Sequence, residues 1–411
     1  MAEPFAAEGL PLDQARERIL AELQPLGRRE ELPLAACLER TTATAVRAPA
    51  AVPGFRASIM DGYAIAGAAP PAPGQRWRLV GLSAAGSPHP RALADGEAVR
   101  ILTGAVVPEG SGRVLPQELV ALQPDGIELQ RACGANPWIR QSDEEAAAGQ
   151  ELLAAGQRLG VAALARLASC GLERLSVAQR PRIGLLISGD ELLAPGRERG
   201  PGQIWESNSL LLTALLERLG HRVAEQRLVA DQPGPLRTAL AELAAGCDLV
   251  VSTGGVSAGD SDWIRPLVAE LGEVAFWKLF LKPGRPFAWG RIGGTPFFGL
   301  PGNPVAAAVT ALQLLWPALQ RLEGAEPRPL PRLIVRLEHD LRRGAGRPEL
   351  ARARLLTAAD GSPLARVEGS QASSRIGSLQ DADLLLEIPA ACGALEAGTP
   401  LWAQLLRLPI F

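Results

Sequence analysis

Asp248-Leu249-Val250-Val251-Ser252-Thr253-Gly254-Gly255-Val256-Ser257-Ala258-Gly259-Asp260-Ser261-Asp262 is the stretch on which the fold turns. Asp248–Val251 is a short β-branched run, too short for a helix, and reads as a buried strand. It stops in Ser252-Thr253-Gly254-Gly255. Glycines let a ligand approach the backbone, and successive N–H groups before a helix can cradle an anion. Asp260 and Asp262 close the loop. Two carboxylates in an anion seat repel the anion unless a cation such as Mg²⁺ lies between them. An acid near a helix start favours the dipole anyway, which would account for Asp262 alone.

The same pattern recurs outward. Arg182–Ile187 ends in Ser188-Gly189-Asp190-Glu191, His221–Val229 ends in Ala230-Asp231, and a strand Val274–Leu281 ends in Lys282-Pro283-Gly284-Arg285. Helices are predicted over Ser209–Leu219, capped by Ser207 or Asn208, over Pro233–Ala245, from Ser261, and over Pro304–Leu322. An extended pair covers 286–299. Alternating strands and helices make 181–327 a three-layer α/β/α domain with a mainly parallel sheet. Ligands then bind beyond the C-terminal ends of the strands.

The flanks differ. Leu12–Leu26 and Leu152–Cys170 have helical spacing and are expected to pack near each other, so 1–45 and 150–180 form one discontinuous helical unit. Residues 46–149 are Gly/Pro-rich with short apolar runs, an inserted β-rich domain. After the linker Pro327–Pro331, residues 328–411 carry short strands at Leu333–Leu337, Ala351–Leu355, Pro363–Val367, Leu384–Ile388 and Pro400–Leu405, a small β-barrel. The fold class is therefore multidomain α/β.

Composition narrows the function. The 411 residues are 47% hydrophobic with a net charge of −2, which gives no signature of nucleic-acid or acidic-membrane binding. Five scattered Cys give no metal-type spacing and read as reduced thiols. The N-terminus lacks a signal-peptide pattern, and no run of ~20 apolar residues is read as a membrane span. A cytoplasmic protein is expected. His89, His221 and His339 are read as surface or turn residues, which argues against a Ser-His-Asp triad or a His-rich zinc site. Chemistry then falls to carboxylates, lysines, backbone amides and a hard divalent cation. Asp262, Glu191 and Asp231 are the candidate metal and catalytic carboxylates, with Asp190 beside them.

The only two lysines are Lys278 and Lys282; every other basic residue among the 42 Lys+Arg is arginine. On one strand they would share a face with Phe280 between them, a seat for phosphate or another oxyanion. The only Tyr, Tyr63, and the only Met besides Met1, Met60, lie together in Ser58-Ile59-Met60-Asp61-Gly62-Tyr63-Ala64. No P-loop or GxGxxG fingerprint is present.

Seven ordered motifs resemble the molybdopterin molybdenumtransferase family, shared with the C-terminal domain of gephyrin. They are Ser58–Ala64, Leu102–Ala105 followed by Pro108, Ser188–Leu192, Gly202–Asn208, Ser252–Asp262, Phe276–Phe287 and Gly299–Val305. The resemblance implies molybdenum insertion into molybdopterin: adenylylated molybdopterin and molybdate are consumed, AMP is released, and the reaction depends on Mg²⁺ or another divalent cation. It implies catalytic roles for Asp262, Asp231, Glu191, Lys278 and Lys282. It implies substrate contacts from Asp61, Thr103, Arg140, Asp190, Ser252, Gly254, Gly255, Ser257, Arg285, Pro301, Asn303, Pro304 and Ser373. It also implies a homodimer with a shared site, a molybdopterin adenylyltransferase and apo-molybdoenzymes as partners, and no nucleic acid or membrane. The sequence departs from the family pattern at Glu145, where an Asp is usual, at Ser111-Gly112-Arg113, and at Ala372 in Gly369-Ser370-Gln371-Ala372-Ser373. A molybdopterin adenylyltransferase and a gephyrin-like scaffold are the alternatives. The 328–411 domain and the inserted domain argue against the first, the lack of a long linker or extra module against the second.

Overall fold

The computed structural model describes residues 9–255, 262–367 and 369–407. Its centre is a six-stranded sheet in the order Val223–Val229, Ile183–Ser188, Leu249–Thr253, Thr295–Leu300, Ala288–Ile292, Gly272–Trp277. The first four strands are parallel and the last two antiparallel. Strands such as Ile183–Ser188 and Leu249–Thr253 are buried along their whole length, because helices cover both faces. One face packs Leu212, Leu216, Val305, Val309 and Leu314. The other packs Leu236, Leu240, Leu243, Ile264 and Leu267. The apolar helix Pro304–Leu322 is long enough by composition to cross a membrane, contrary to the expectation that no such run exists. It passes that test because it is a core helix, with 89% of its apolar window buried.

The first helix, Leu12–Glu22, buries Ala15 and Ile19 in this central core. It does not pack with the later helix, as its spacing suggests it should. The later helix is shorter, Val161–Ser169, and belongs to a separate cluster with Cys37, Val46, Leu152 and Val177. Leu152 and Leu153, expected to be helical, lie instead in the strand Glu151–Leu153, paired with Val46–Arg47. Between them lies a six-stranded mixed sheet with Tyr63, Ile65, Trp77 and Leu115 in its core. The C-terminal strands Arg332–Leu337, Glu349–Thr357, Pro363–Arg366, Leu384–Ile388 and Pro400–Leu405 close into a barrel.

Three local expectations change. The strand Gly272–Trp277 stops before Lys278, whose φ of 70° is left-handed and cannot continue a pleat. The helix Asn208–Arg218 has no cap from Ser207 or Asn208. Glu206 takes that place, accepting the Ser209 backbone N–H at 2.8 Å. His221 is not at the surface but 1% exposed, 3.5 Å from Glu323 Oε1. Thr41 Oγ1 donates to the other Glu323 oxygen at 2.9 Å, so this pair seals the joint between the N-terminal unit and the sheet.

Arg113 is likewise buried without a carboxylate. Its guanidinium donates to the carbonyls of Ala68, Gly134, Ala135 and Asn136. It therefore pins the 134–136 turn that leads into the Ile139–Arg140 strand. All five cysteines are free, and burial pushes the thiols of Cys37 and Cys247 up.

Replacing Arg113 by Met should cost ~2–3 kcal/mol in urea denaturation, since several acceptors lose their donor at once. Burial, with Arg158 and Arg180 nearby, pulls His221 from 6.5 down to about 3. Below pH 6.5 the unfolded chain therefore gains a proton that the native state refuses until about pH 3, and stability falls with pH across that window. Glu323, pushed up by burial, works in the opposite direction. Between pH 7 and 4 the wild type should lose more unfolding free energy than His221→Asn.

Candidate active site

The carboxyl ends of the parallel strands converge. Gly254 and Gly255 have φ of 94° and 61°. A Cβ on Gly254 would lie 2.5 Å from Ser188 O, and one on Gly255 would lie 2.6 Å from Ile264 Cγ1. Only glycine fits at such a close approach. Asn208 Nδ2 donates to Thr253 Oγ1 and to Gly302 O, each at 2.7 Å. It thereby fastens the Gly-rich strand end to the Pro301–Pro304 turn. Asn303 immediately precedes the helix Pro304–Thr310 without capping it; its amide donates instead to Ser373 Oγ at 3.0 Å, while Val305 N donates to Ser373 O at 3.1 Å. Asn303, Pro304 and Ser373 are thus one junction between the α/β domain and the barrel.

Asp190, Glu191, Asp231 and Asp262 share one field at this mouth. Asp231 N donates to Asp190 Oδ1 at 2.9 Å. Burial pushes the Asp231 carboxyl up, and the charges of Asp190, Asp262 and Glu191 push it further. Asp231 Oδ1, Ser188 Oγ, Ser252 Oγ and Asn208 Oδ1 are buried polar atoms with no hydrogen-bond partner. Such atoms are costly unless a ligand or ion meets them. Among the described residues no three Asp, Glu, His or Cys side chains form a ready-made metal cage. Mg²⁺ needs none: it keeps several waters and is held by one or two carboxylates together with substrate phosphates. The carboxylates present fit that mode. Ser257 and Asp260 lie outside the described residues.

The lysines do not share a strand face. Lys278 Nζ lies 3.9 Å from the Trp277 ring centroid, a cation–π contact. Lys282 Nζ lies 3.0 Å from Glu349 Oε1 of the barrel. The left-handed turn at Lys278 separates them. Arg285 is exposed beyond Lys282.

The inserted domain holds the remaining candidates. Asp61 Oδ1 accepts from Thr103 N at 2.7 Å and Thr103 Oγ1 at 2.9 Å, which holds its carboxyl below the usual range. Arg140 Nε lies 3.1 Å from Glu144 Oε1, and Glu145 pairs with Arg166 at 2.9 Å. These contacts stay within the N-terminal half of the chain.

The barrel adds a feature that sequence reasoning missed. A cavity of 310 Å³ there is lined by Arg352, Arg354, Arg366, Arg375, Ser378 and Asp381. Arg352 is 2% exposed; its Nε donates to Ser378 Oγ at 3.1 Å, and its Nη1 is buried with no partner. A guanidinium so placed suits an oxyanion. The available signal was two arginines alternating with alanines in Ala351-Arg352-Ala353-Arg354.

Residues 10–171 match the MoeA N-terminal region (domain I and II), 184–321 a probable molybdopterin binding domain, and 335–406 the MoeA C-terminal region (domain IV). The molybdopterin molybdenumtransferase of Haemophilus influenzae is 32% identical over 391 residues, covering 95% of this chain and 96% of that one. Molybdopterin molybdenumtransferase 2 of Mycobacterium tuberculosis is 32% identical over 399 residues, covering 94% and 98%. The crystal structure of the molybdopterin biosynthesis MoeA protein from Pyrococcus horikosii superposes with a TM-score of 0.78 at 27% identity, covering 97% and 99%. Three consecutive family regions, near-complete relatives and a shared architecture agree with the motif-bearing strand ends, and the chain belongs to the molybdopterin molybdenumtransferase family.

Proposed function

We propose that the protein inserts molybdenum into molybdopterin, taking adenylylated molybdopterin and molybdate and releasing AMP. The observation that carries this reading is the set of four carboxylates around a Gly-rich anion loop, with Asp231 pushed up by burial and by its acidic neighbours. An enzyme that only bound an anion would gain nothing from that repulsion.

In this reading the backbone of Ser252, Gly254 and Gly255 seats the phosphates, and Pro301, Asn303 and Pro304 shape the wall. Asp262, Asp231 and Glu191 would hold a divalent cation, with Asp190 orienting Asp231. That cation supplies charge neutralisation at the pyrophosphate. A water oxygen bonds to one phosphorus of the pyrophosphate as the anhydride P–O bond breaks, AMP leaves, and the other phosphate stays on the pterin. Each dithiolene thiol gives up its proton as its sulfur takes the place of one molybdate oxygen, and the two displaced oxygens leave as water with the thiol protons and the two protons of the hydrolysis. Lys282, Lys278 and Arg285 take the incoming molybdate at the mouth, on its way to the Arg352 cavity beside Ser373. The divisions at 46–149, 181–327 and 328–411 follow the same reading.

The reading includes a homodimer. The polar groups of Asp61, Thr103 and Arg140 stand on the inserted domain, with contacts only inside the N-terminal half. A second subunit's α/β mouth is their natural substrate-side partner. No observation favours the adenylyltransferase or the scaffold.

Asp262→Asn should lower metal-dependent AMP release by ~10²-fold or more, the scale of losing a principal electrostatic group. Turnover at the wild-type rate across a Mg²⁺ titration would remove Asp262 from the site. Mixing Asp61→Ala with Asp262→Ala subunits should restore one good site per heterodimer; a mixture as inactive as its parents would place each site within a single chain.

A further inference from the structure

Glu349 is nearly closed off from water, with 5% of its side chain exposed, yet it opens the barrel strand Glu349–Thr357. One oxygen meets Lys282 Nζ at 3.0 Å, and the other lies 3.4 Å from Arg343 Nε. Arg347 and Arg352 also feel its charge. The main chain repeats the connection. Lys282 N donates to Pro348 O at 2.9 Å, and Leu350 N donates to Lys282 O at 2.8 Å. Arg347 Nη1 adds a bond to Leu281 O at 3.2 Å. One residue of the α/β domain is therefore stitched to the barrel by backbone and side chain together.

The Lys282 side chain is 48% exposed. Its ammonium is held on one side and open to solvent on the other. A free lysine carries about 2 kcal/mol of rotamer entropy, and ordering such a side chain is part of the cost of any binding event. A buried carboxylate that meets this cation before the ligand arrives removes that cost in advance. A buried charge also needs partners, and Arg343 with Lys282 supplies them. The carboxylate does not have to touch the incoming ligand to matter.

We propose that Glu349 is a positioning residue for the reaction: it acts through Lys282, holding the ammonium at the domain junction where it receives the incoming oxyanion. The inference rests on the reading of Lys282 as an oxyanion ligand. The test uses the full-length protein and compares wild type, Glu349→Gln, Lys282→Met and the double variant. Half-saturating molybdate, kcat at saturating molybdate and Tm are measured for each. Glu349→Gln should raise half-saturating molybdate about tenfold, the scale of one well-placed charge contact, with kcat within about twofold. The double variant should be no worse than Lys282→Met, because both changes remove one interaction. Independent, multiplying effects would overturn the proposal. So would a Glu349→Gln variant whose half-saturation stays at or below the wild-type value, and a lower Tm alone would make Glu349 merely structural. If Lys282→Met is itself unchanged, the oxyanion reading of Lys282 falls and the proposal with it. If Lys282→Met is impaired while Glu349→Gln is not, the proposal alone falls.

Discussion

A single buried amide holds the site open. Asn208 Nδ2 reaches both Thr253 Oγ1 and Gly302 O, so three segments distant in sequence meet at one nitrogen. Parallel strands deliver their C-terminal ends to one edge, but they do not fix the loops that leave them. The shared donor fixes the Gly-rich turn against the Pro301–Pro304 turn. The chain's three asparagines all fasten turns in this way. Asn303 fastens the barrel through Ser373, and Asn136 Oδ1 accepts Trp138 N at 2.9 Å while its carbonyl accepts from Arg113. A primary amide is short, uncharged and both donor and acceptor, which suits a place where a charge would compete with the ligand.

The site conflicts with the fold that carries it. Carboxylates at neighbouring strand ends repel one another, and Ser188 and Ser252 bury hydroxyls without partners. Elsewhere the same sheet is dry and apolar on both faces. Local rules fail where a ligand is awaited and hold where only packing is at stake.

That contrast sets what is legible from residues alone. Alternation of short apolar runs with helical spacing makes the three-layer domain legible, because burial on both faces leaves a strong pattern. The barrel strand Leu384–Ile388 is legible to the residue. The acids at three strand ends, Asp190 with Glu191, Asp231 and Asp262, are legible because a charge placed beyond a buried apolar run does nothing for packing. Lys278 is not, since its left-handed turn is set by contacts on either side, Lys278 N to Phe287 O and Leu10 N to Lys278 O. His221 defeats a local reading because the elements that bury it lie far along the chain, with Glu323 3.5 Å from its ring. Capping at residue 208 defeats it too, because the amide is needed across the sheet and Glu206 can replace it locally. The Arg352 cavity is barely legible: alternating Ala351-Arg352-Ala353-Arg354 hints at it, but only the closed barrel brings these arginines together with Arg366 and Arg375.

The first helix constrains how the chain is made. Leu12–Glu22 hides Ala15 and Ile19 against a sheet whose earliest strand begins at Ile183. An isolated helix of this length is marginal in water. During synthesis this segment therefore leaves the ribosome long before its docking surface exists. The inserted domain and the Arg29–Pro33/Arg174–Ala178 pair can close while it waits. Its docking comes late in folding, and an apolar stripe near the N-terminus stays exposed through most of translation, the state that chaperones recognise.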